Sequence, residues 1–411
     1  MKYKNRILST KIAQLARHFP VVVVTGARQV GKSTLLRHTF PDLKSIVFDP
    51  VLDINNARQE PEIFLDNHPS PVILDEIQYA PELVGSIKRR VDRQREPGMY
   101  ILTGSQQWSV MKSISDSLAG RVVIVDLHGF SLSEINETIP KTNWLERYLA
   151  DSKGFISEHH DAFPLNRTVN EQIWRGFLPD SDSYPLEYIP DYLGSYFQTY
   201  IERDIRSSGD VNDWQQFGRF VQLAAALTGQ EINTSQLGRD IGVTPQTAKR
   251  WLATLSSTFQ WYQVPPYHGN VVKRISKKHK GYLLDTGLAC YLQRISSPDT
   301  LSGHPLTGSL FESAVVGELL KLMAVIPFPA RMYHWRSHGG AEVDIILERD
   351  GILFPLEIKH TSQPARKHTT GINQFRETYP AEKIAPGLVI CTVNSSRQLS
   401  ETDYAIPWNT R

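Results

Sequence analysis

Residues 21–37 read VVVVTGARQVGKSTLLR, which has the order strand, glycine-rich turn, helix. Four consecutive valines open the stretch, and such a β-branched run is typical of a strand buried on both faces. The next residues fit the pattern G-x-x-x-x-G-K-[ST] at every fixed position. They are Gly26, Ala27, Arg28, Gln29, Val30, Gly31, Lys32 and Ser33. Because a phosphate binds at the N-terminus of a helix, the flanking strand and helix favour a phosphate-binding loop over a chance match.

Each fixed position of this loop has a chemical role. The glycines let backbone N–H groups surround the phosphates, and Lys32 is expected to reach the β and γ oxygens. Ser33 is expected to ligate Mg²⁺, and Thr34 continues the nucleotide-binding set into the helix. The sequence therefore predicts that the chain binds ATP together with Mg²⁺.

The strand predicted at residues 71–76, PVILDE, ends in two carboxylates. Asp75 is expected to reach the Mg²⁺ shell, and Glu76 is expected to reach a water in line with the γ-phosphate. Such an ending is common by itself, but about forty residues after a phosphate loop it indicates a hydrolytic site. The next predicted strand, at residues 99–102, leads into small polar residues, of which Ser105 is expected to contact the nucleotide.

Two arginines are candidates for sensing the nucleotide. Arg121 opens a further predicted strand, LAGRVVIVDL, and in a ring of identical subunits it would reach a neighbour's γ-phosphate as an arginine finger. Arg203 lies in a predicted helix, either as a surface ion-pair residue or as a second sensing arginine. A homo-oligomeric ring is therefore the expected active form.

Composition narrows the class of protein. The 411 residues exceed one ordinary core and favour about two to four domains. A hydrophobic share of 40% with 21% charged residues is that of a soluble globular protein, and the net charge of +2 leaves nucleic-acid contact to local basic patches. Cys290 and Cys391 lie far apart in no metal-ligand spacing, and no apolar run approaches the length of a membrane span. We expect a cytoplasmic protein without a membrane partner.

Residues 213–298 contain three short amphipathic helical segments with a glycine turn, followed by the hairpin-like sequence WYQVPPYHGNVVKRI. This outline predicts a winged helix-turn-helix. The expected DNA contacts are polar and cationic residues of the third helix and the wing: Thr247, Lys249, Arg250, Lys273, Arg274, Lys277 and Lys278. In the alternative interpretation, the module only mediates subunit contacts.

The last segment pairs acidic and basic residues on neighbouring strands. One predicted strand carries Asp344, and the next carries Glu357 and Lys359 on the same face. This order is similar to the PD-(D/E)xK nuclease core, in which two acids bind Mg²⁺ and the lysine supports catalysis. All three are therefore candidate catalytic residues, with the acids as metal ligands. The sequence leaves open whether Glu312 or Glu318 is the helix-borne acid, and whether the fold cleaves or only binds.

Several motifs together resemble one known family. GARQVGKST, ILDEIQ, ILTGSQQ and LAGRVVIVDL are similar to the AAA-type ATPases of bacteria and archaea that carry a C-terminal domain of unknown function, DUF4143. Later segments, among them YIERDIRSS, GSLFESAVVGELLK and GGAEVDIIL, extend the resemblance over most of the chain. The resemblance implies ATP binding and hydrolysis with Lys32, Ser33, Asp75 and Glu76 in the usual roles. It implies no settled substrate.

The sequence as a whole predicts an α/β protein with four segments. An AAA-type P-loop ATPase core with a parallel sheet is expected over residues 1–135, a helical lid or connector over 136–212, the winged-helix module over 213–298, and a small α/β PD-(D/E)xK-like domain over 299–411. The predicted function is ATP-driven binding and remodelling or processing of DNA. The alternative is an ATP-dependent switch that docks a protein partner and has no nuclease activity.

Overall fold

The structure is a computed structural model, and it describes residues 2–104, 118–201, 213–269 and 278–411. The chain forms two compact units. The N-terminal unit comprises Met1–Phe130 with Leu178–Asp180 and Ser257–Phe259. The C-terminal unit comprises Ser131–Phe177, Ser181–Ser256 and Gln260–Arg411. The predictions for Ser105, Arg203, Lys273, Arg274 and Lys277 concern residues outside the described ranges.

The described part of the N-terminal unit contains one parallel sheet flanked by helices. In chain order its elements are α1 Leu8–Ala16, β1 Val21–Thr25, α2 Lys32–Thr39, β2 Lys44–Val47, α3 Pro61–Asn67, β3 Val72–Asp75, α4 Leu83–Gln94, β4 Tyr100–Gly104 and β5 Val122–Asp126. The strand order is β2-β3-β4-β1-β5, and every pairing is parallel. The predicted α/β fold with a parallel sheet is therefore confirmed.

The valine run forms β1, which lies between β4 and β5 in this sheet. All residues of β1 are buried, because a strand pairs with each of its edges and both of its faces are covered. Helix α4 contributes Leu83, Ile87 and Val91 to the hydrophobic core beside the sheet. The carboxyl ends of parallel strands meet at one edge, so β1, β3 and β4 end side by side there, and the segments after β1 and β3 begin at that edge.

The C-terminal unit is built from helices and two sheets. Its helices are α5 Leu132–Ile135, α6 Trp144–Ala150, α7 Ser152–Ser157, α8 Val169–Arg175, α9 Ile189–Tyr196, α10 Trp214–Ala226, α11 Thr234–Ile241, α12 Pro245–Ser257, α13 Thr286–Leu292, α14 Pro298–Ser302, α15 Thr307–Val325 and α16 Thr370–Thr378. Its strands are β6 Gln230–Glu231, β7 Trp261–Val264, β8 Lys280–Leu283, β9 Arg331–Arg336, β10 Glu342–Arg349, β11 Ile352–Lys359, β12 Lys383–Ile384, β13 Gly387–Cys391, β14 Arg397–Gln398 and β15 Asp403–Pro407. None of the described helices is both long and apolar enough to span a membrane.

The larger sheet of this unit has the order β14-β15-β13-β11-β10-β9, and β12 pairs with β11. Strands β10 and β11 form an antiparallel hairpin, whereas β11, β13 and β15 run parallel. The segment expected to be a lid or connector packs on this part of the unit: Tyr148 donates to the carbonyl of Pro386 (2.6 Å), and the N–H of Ala162 donates to that of Asn394 (2.7 Å).

The smaller sheet has the order β6-β8-β7 within the described residues, and its strands are antiparallel. Along the chain, α10, β6, α11, α12, β7 and β8 follow one another. The turn between α11 and α12 is tight, since Gly242 has a left-handed φ of 79° and a Cβ on Gly238 would lie 2.7 Å from the carbonyl oxygen of Val243. The three helices α10, α11 and α12 lie within residues 213–298, for which the sequence predicts three helical segments.

Candidate functional site

The loop after β1 has the backbone shape that its glycines permit. The φ angles of Gly26 (147°), Gln29 (60°) and Gly31 (90°) are all positive. A Cβ on Gly26 would lie 2.1 Å from the carbonyl oxygen of Leu127, so only glycine fits there. Helix α2 begins directly after Gly31, and its first N–H groups are therefore open to an anion. The residues present fit a nucleotide phosphate.

Lys32 lies over this loop. Its Nζ donates to the carbonyl oxygens of Gly26 and Ala27, each at 2.9 Å, and its side chain is buried. The ammonium thus lies in the concave side of the loop, where it can exchange these carbonyls for phosphate oxygens. Lys32 thus lies at the phosphate loop, as the sequence predicts, and its contacts to the phosphates stay a prediction.

A buried arginine that sequence reasoning missed supports the loop from the other side. Arg6 Nη1 donates to the carbonyl of Val30 (2.7 Å), and Nη2 donates to those of His128 (2.6 Å) and Gly129 (3.2 Å). Its guanidinium also lies over the ring of Phe130, 4.9 Å from the centroid. Arg6 therefore ties the phosphate loop to the segment that follows β5.

The two acids at the end of β3 are connected through a residue of β4. The Thr103 hydroxyl donates to Asp75 Oδ1 and accepts the backbone N–H of Glu76 (3.0 Å). Glu76 adopts a left-handed conformation (φ 59°, ψ 44°), which is uncommon for a residue with a side chain and typical of functional positions. Gln78 Nε2 donates to Glu76 Oε2. The carboxylates are thus held in fixed directions at the strand end.

The remaining predicted residues of this site lie at different distances from the loop. Ser33 and Thr34 occupy the first turn of α2, as a metal ligand and its neighbour require. Arg28 donates to the hydroxyl of Tyr79 (2.9 Å). Arg121 precedes β5 at the opposite, amino edge of the sheet and pairs with Asp92. It does not belong to this chain's own phosphate site, so a finger role would concern only a neighbouring subunit.

The third helix of the smaller module, α12, presents cations to solvent. Lys249 and Arg250 are exposed and form no ion pair within the described residues. The Thr247 hydroxyl lies 3.0 Å from that of Thr244, which accepts the N–H of Thr247, so Thr247 helps to begin the helix. Lys278 is exposed ahead of β8.

Strands β10 and β11 bring Asp344, Glu357 and Lys359 together, as the sequence predicts. Asp344 Oδ2 accepts the backbone N–H of Ile358 (2.9 Å) and the Lys359 ammonium (3.3 Å). Lys359 also pairs with Glu357 Oε1 at 2.7 Å. The structure separates the two helix acids: Glu312 lies in this cluster, whereas Glu318 accepts the backbone N–H of Leu132.

Two residues of β8 that sequence reasoning did not place here complete the cluster. Lys280 Nζ lies 2.5 Å from Glu312 Oε1 and 3.3 Å from Asp344 Oδ1. The Tyr282 hydroxyl donates to Glu312 Oε1 at 2.6 Å. The alternation of β8 places Lys280 and Tyr282 on one face, but no sequence pattern indicates which acids that face meets.

The charges of the cluster depend on one another. Burial and the nearby Asp344 raise the pKa of Glu357 to about 8 and that of Glu312 to about 7. Burial alone would raise the pKa of Asp344, but Lys280 and Lys359 hold it below its ordinary value. Among the described residues, no group of three or more His, Cys, Asp and Glu side chains is arranged to hold a metal ion.

Family models account for most of the chain. Residues 18–136 match an AAA domain, residues 166–299 match a domain of unknown function, DUF8612, and residues 307–410 match the domain of unknown function DUF4143. The N-terminal part of the chain is therefore an AAA-type P-loop ATPase domain, a class that binds nucleotide, usually with Mg²⁺. The C-terminal part is a DUF4143 domain. The family resemblance drawn from the sequence is confirmed in both parts.

The chain is also similar to other proteins and to solved structures, but these similarities do not assign it a function. Uncharacterized proteins of Mycobacterium bovis and Mycobacterium tuberculosis are each 28% identical over 366 residues, which are 89% of this chain and 76% of theirs. A Walker-type ATPase of Pyrococcus abyssi covers 71% of this chain and 99% of its own at 15% identity, with a TM-score of 0.42. The RuvB Holliday junction branch migration motor of Thermotoga maritima covers 64% and 90% at 17% identity, with a TM-score of 0.30. Likenesses at these TM-scores do not indicate a function for the chain.

Proposed function

We propose that the protein hydrolyses Mg²⁺-bound ATP at the loop after β1 and uses the conformational change to bind and remodel DNA. The geometry of the carboxyl edge of the sheet supports the first half. Lys32 lies in the phosphate loop, Asp75 ends strand β3, and Glu76 follows it directly. Thr103 connects both acids to β4.

The roles of these residues follow from their chemistry. Lys32 and the N-terminus of α2 would neutralise the phosphates, and Ser33 with Asp75 would hold Mg²⁺. Bound Mg²⁺ would supply charge stabilisation at the β and γ oxygens. Glu76 would orient and deprotonate the attacking water once it leaves the amide of Gln78. If the subunits form a ring, Arg121 would act on a neighbour's nucleotide.

The solvent-exposed cations of α12 are the observation that favours DNA. The order helix, strand, helix, helix, strand, strand with a three-stranded sheet supports the winged-helix interpretation for the described residues. In that fold the third helix enters the major groove, and here it presents Lys249 and Arg250 to solvent. The sequence adds Lys273, Arg274, Lys277 and Lys278 in the segment where a wing is expected.

A specific observation also favours the second candidate, a switch that docks a protein partner. Tyr184, Leu186 and Tyr188 are exposed by 42%, 40% and 53%, although large apolar side chains are usually covered. A cavity of about 220 Å³ in the same unit is lined by Trp174, Pro190, Leu193, Gly287, Tyr291, Arg294, Ile295 and Ser296. Exposed aromatic residues are typical of protein interfaces.

ATP turnover measured with and without DNA separates the two candidates. Single-stranded, duplex and branched DNA should each be added to the full chain, and the DNA-remodelling proposal expects at least one of them to stimulate hydrolysis. Replacing Lys249 and Arg250 with serine should weaken DNA binding, and the slope of log K against log salt should flatten by about 0.9 for each duplex phosphate that is no longer neutralised. The control is Lys153→Ser, which removes an exposed lysine of α7. Turnover that ignores all three DNA forms would favour the protein-docking switch.

A further inference from the structure

Lys280 occupies the position between two carboxylates that a metal ion would need. Its ammonium lies 2.5 Å from Glu312 Oε1 and 3.3 Å from Asp344 Oδ1, and its side chain is only 9% exposed. A second ammonium, that of Lys359, bridges the other Asp344 oxygen to Glu357. The acids of the nuclease-like cluster are therefore already joined by cations of the chain itself.

The residues do not fit the metal site that a PD-(D/E)xK nuclease requires. Both oxygens of Asp344 are engaged, one by Lys280 and the other by Lys359 and the N–H of Ile358. Glu357 Oε1 is engaged by Lys359, and only Oε2 is buried without a hydrogen-bond partner among the described residues. A hard cation such as Mg²⁺ needs carboxylates that no other cation holds, and each acid of this cluster, Glu312 included, already pairs with a lysine ammonium.

We infer that the ammonium of Lys280 is the permanent cation of this cluster, which closes the C-terminal domain to Mg²⁺ and joins β8 to the hairpin of β10 and β11. The cluster is then a structural ion network and not a nuclease centre. This inference concerns the C-terminal unit alone and does not depend on the proposed ATP hydrolysis.

The pairing of strand β8 and the charge of the surrounding acids both keep Lys280 in place. It begins β8, which pairs with β6 on one side and with β7 on the other, so the backbone is fixed. An ammonium driven out of this position by a metal ion would remain buried without its carboxylates, and such a group is strongly unfavourable. The cluster sets two lysines against three acids, so ammonium groups of the chain itself offset most of the negative charge that would attract a metal ion.

The network joins two sheets that are adjacent in the chain order. Strand β7 continues into Pro266, which bridges to His334 of β9, and the N–H of Tyr267 donates to the His334 carbonyl at 2.6 Å. Tyr267 also packs against Tyr333, Phe375 and Tyr379. The small sheet is thus attached to the large one by hydrogen bonds and aromatic packing on one strand and by ions on the other.

Manganese binding to the full chain tests this inference directly. Mn²⁺ is titrated in the absence of nucleotide and followed by electron paramagnetic resonance. Asp75→Asn is used as the background, since it weakens metal binding at the ATPase site. The inference expects equal Mn²⁺ binding with and without the additional change Asp344→Asn. A Mn²⁺ site that is present in the background and disappears with Asp344→Asn would overturn it.

A second variant tests the role assigned to Lys280. In the same background, Lys280→Ala removes the ammonium, and a Mn²⁺ site that Asp344→Asn abolishes should appear if the chain folds. A folded Lys280→Ala protein without new Mn²⁺ binding would show that Lys280 does not close the site. If Lys280→Ala fails to fold, the comparison of Mn²⁺ binding in Asp75→Asn with and without Asp344→Asn still tests the inference.

Discussion

Replacing Arg6 with alanine should weaken nucleotide binding, although Arg6 lies outside the phosphate loop. The side chain is 5% exposed, and its guanidinium donates to Val30 at 2.7 Å and to His128 at 2.6 Å. A hydrogen bond from a charged donor stabilises a fold by about 1.5 to 3 kcal/mol. Two such hydrogen bonds together stabilise the fold by roughly 3 to 6 kcal/mol. The melting temperature should fall by on the order of 10 °C.

The effect on the affinity for ATP depends on how often the loop adopts its binding conformation. If the unsupported loop is in its binding conformation in about one molecule in ten, the apparent Kd for ATP rises about tenfold. Titration with a fluorescent ATP analogue, at a temperature where the variant is still folded, measures this change. Arg6→Lys should lie between the wild type and Arg6→Ala, since an ammonium can reach one carbonyl but lacks the planar fork.

The control is Arg17→Ala, which removes an exposed arginine just after α1. It should change neither the melting temperature nor the Kd. An unchanged Kd in folded Arg6→Ala would refute the idea that this arginine supports the phosphate loop. A lower melting temperature with an unchanged Kd would assign Arg6 to stability alone.

Three other predictions use different measurements. Lys32→Ala should abolish ATP binding, whereas Glu76→Gln should bind ATP and hydrolyse it slowly, because only the water-activating carboxylate is removed; equal loss of binding would make Glu76 structural. Arg121→Ala should leave affinity intact and depress turnover, and mixing it with Glu76→Gln subunits should restore some hydrolysis; full turnover in Arg121→Ala would remove the finger role. Burial lowers the pKa of His334 to about 4, below its unfolded value of about 6.5, so the unfolded chain binds more protons between these values. Stability should therefore fall by up to about 3 kcal/mol as pH drops from 6.5 to 4, and denaturant titrations of His334→Gln should show a flatter pH dependence.

The sequence predicts best what local pattern determines. The valine run, the glycine loop and the strand ending in Asp75 and Glu76 each carry their chemistry in a few consecutive residues, and the parallel sheet places them at one edge. The polar face of β11 is predictable for the same reason, since Glu357 and Lys359 are two residues apart on one strand and therefore share a face.

Contacts between distant residues do not follow from local pattern. Arg6 donates to the carbonyls of His128 and Gly129, which are 122 and 123 positions further along the chain. Helix α15 is buried over most of its length, so its periodicity does not show whether Glu312 or Glu318 faces the hairpin. In the sequence Lys280 is one more cation of a basic segment, and only the pairing of β8 with β6 and β7 fixes it among acids.

The contacts of Arg6 also bear on how the chain folds as it is synthesised. The phosphate loop is translated early, but its carbonyl partners at His128 and Gly129 and the neighbouring strand β5 emerge from the ribosome about a hundred residues later. Non-local contacts of this kind form slowly, because the intervening chain must first be ordered. A nascent chain that ends before Asp126 therefore carries the glycine loop without the strand and the carbonyls that support it. Nucleotide should bind that loop more weakly, and so stabilise the N-terminal unit less, until β5 has joined the sheet.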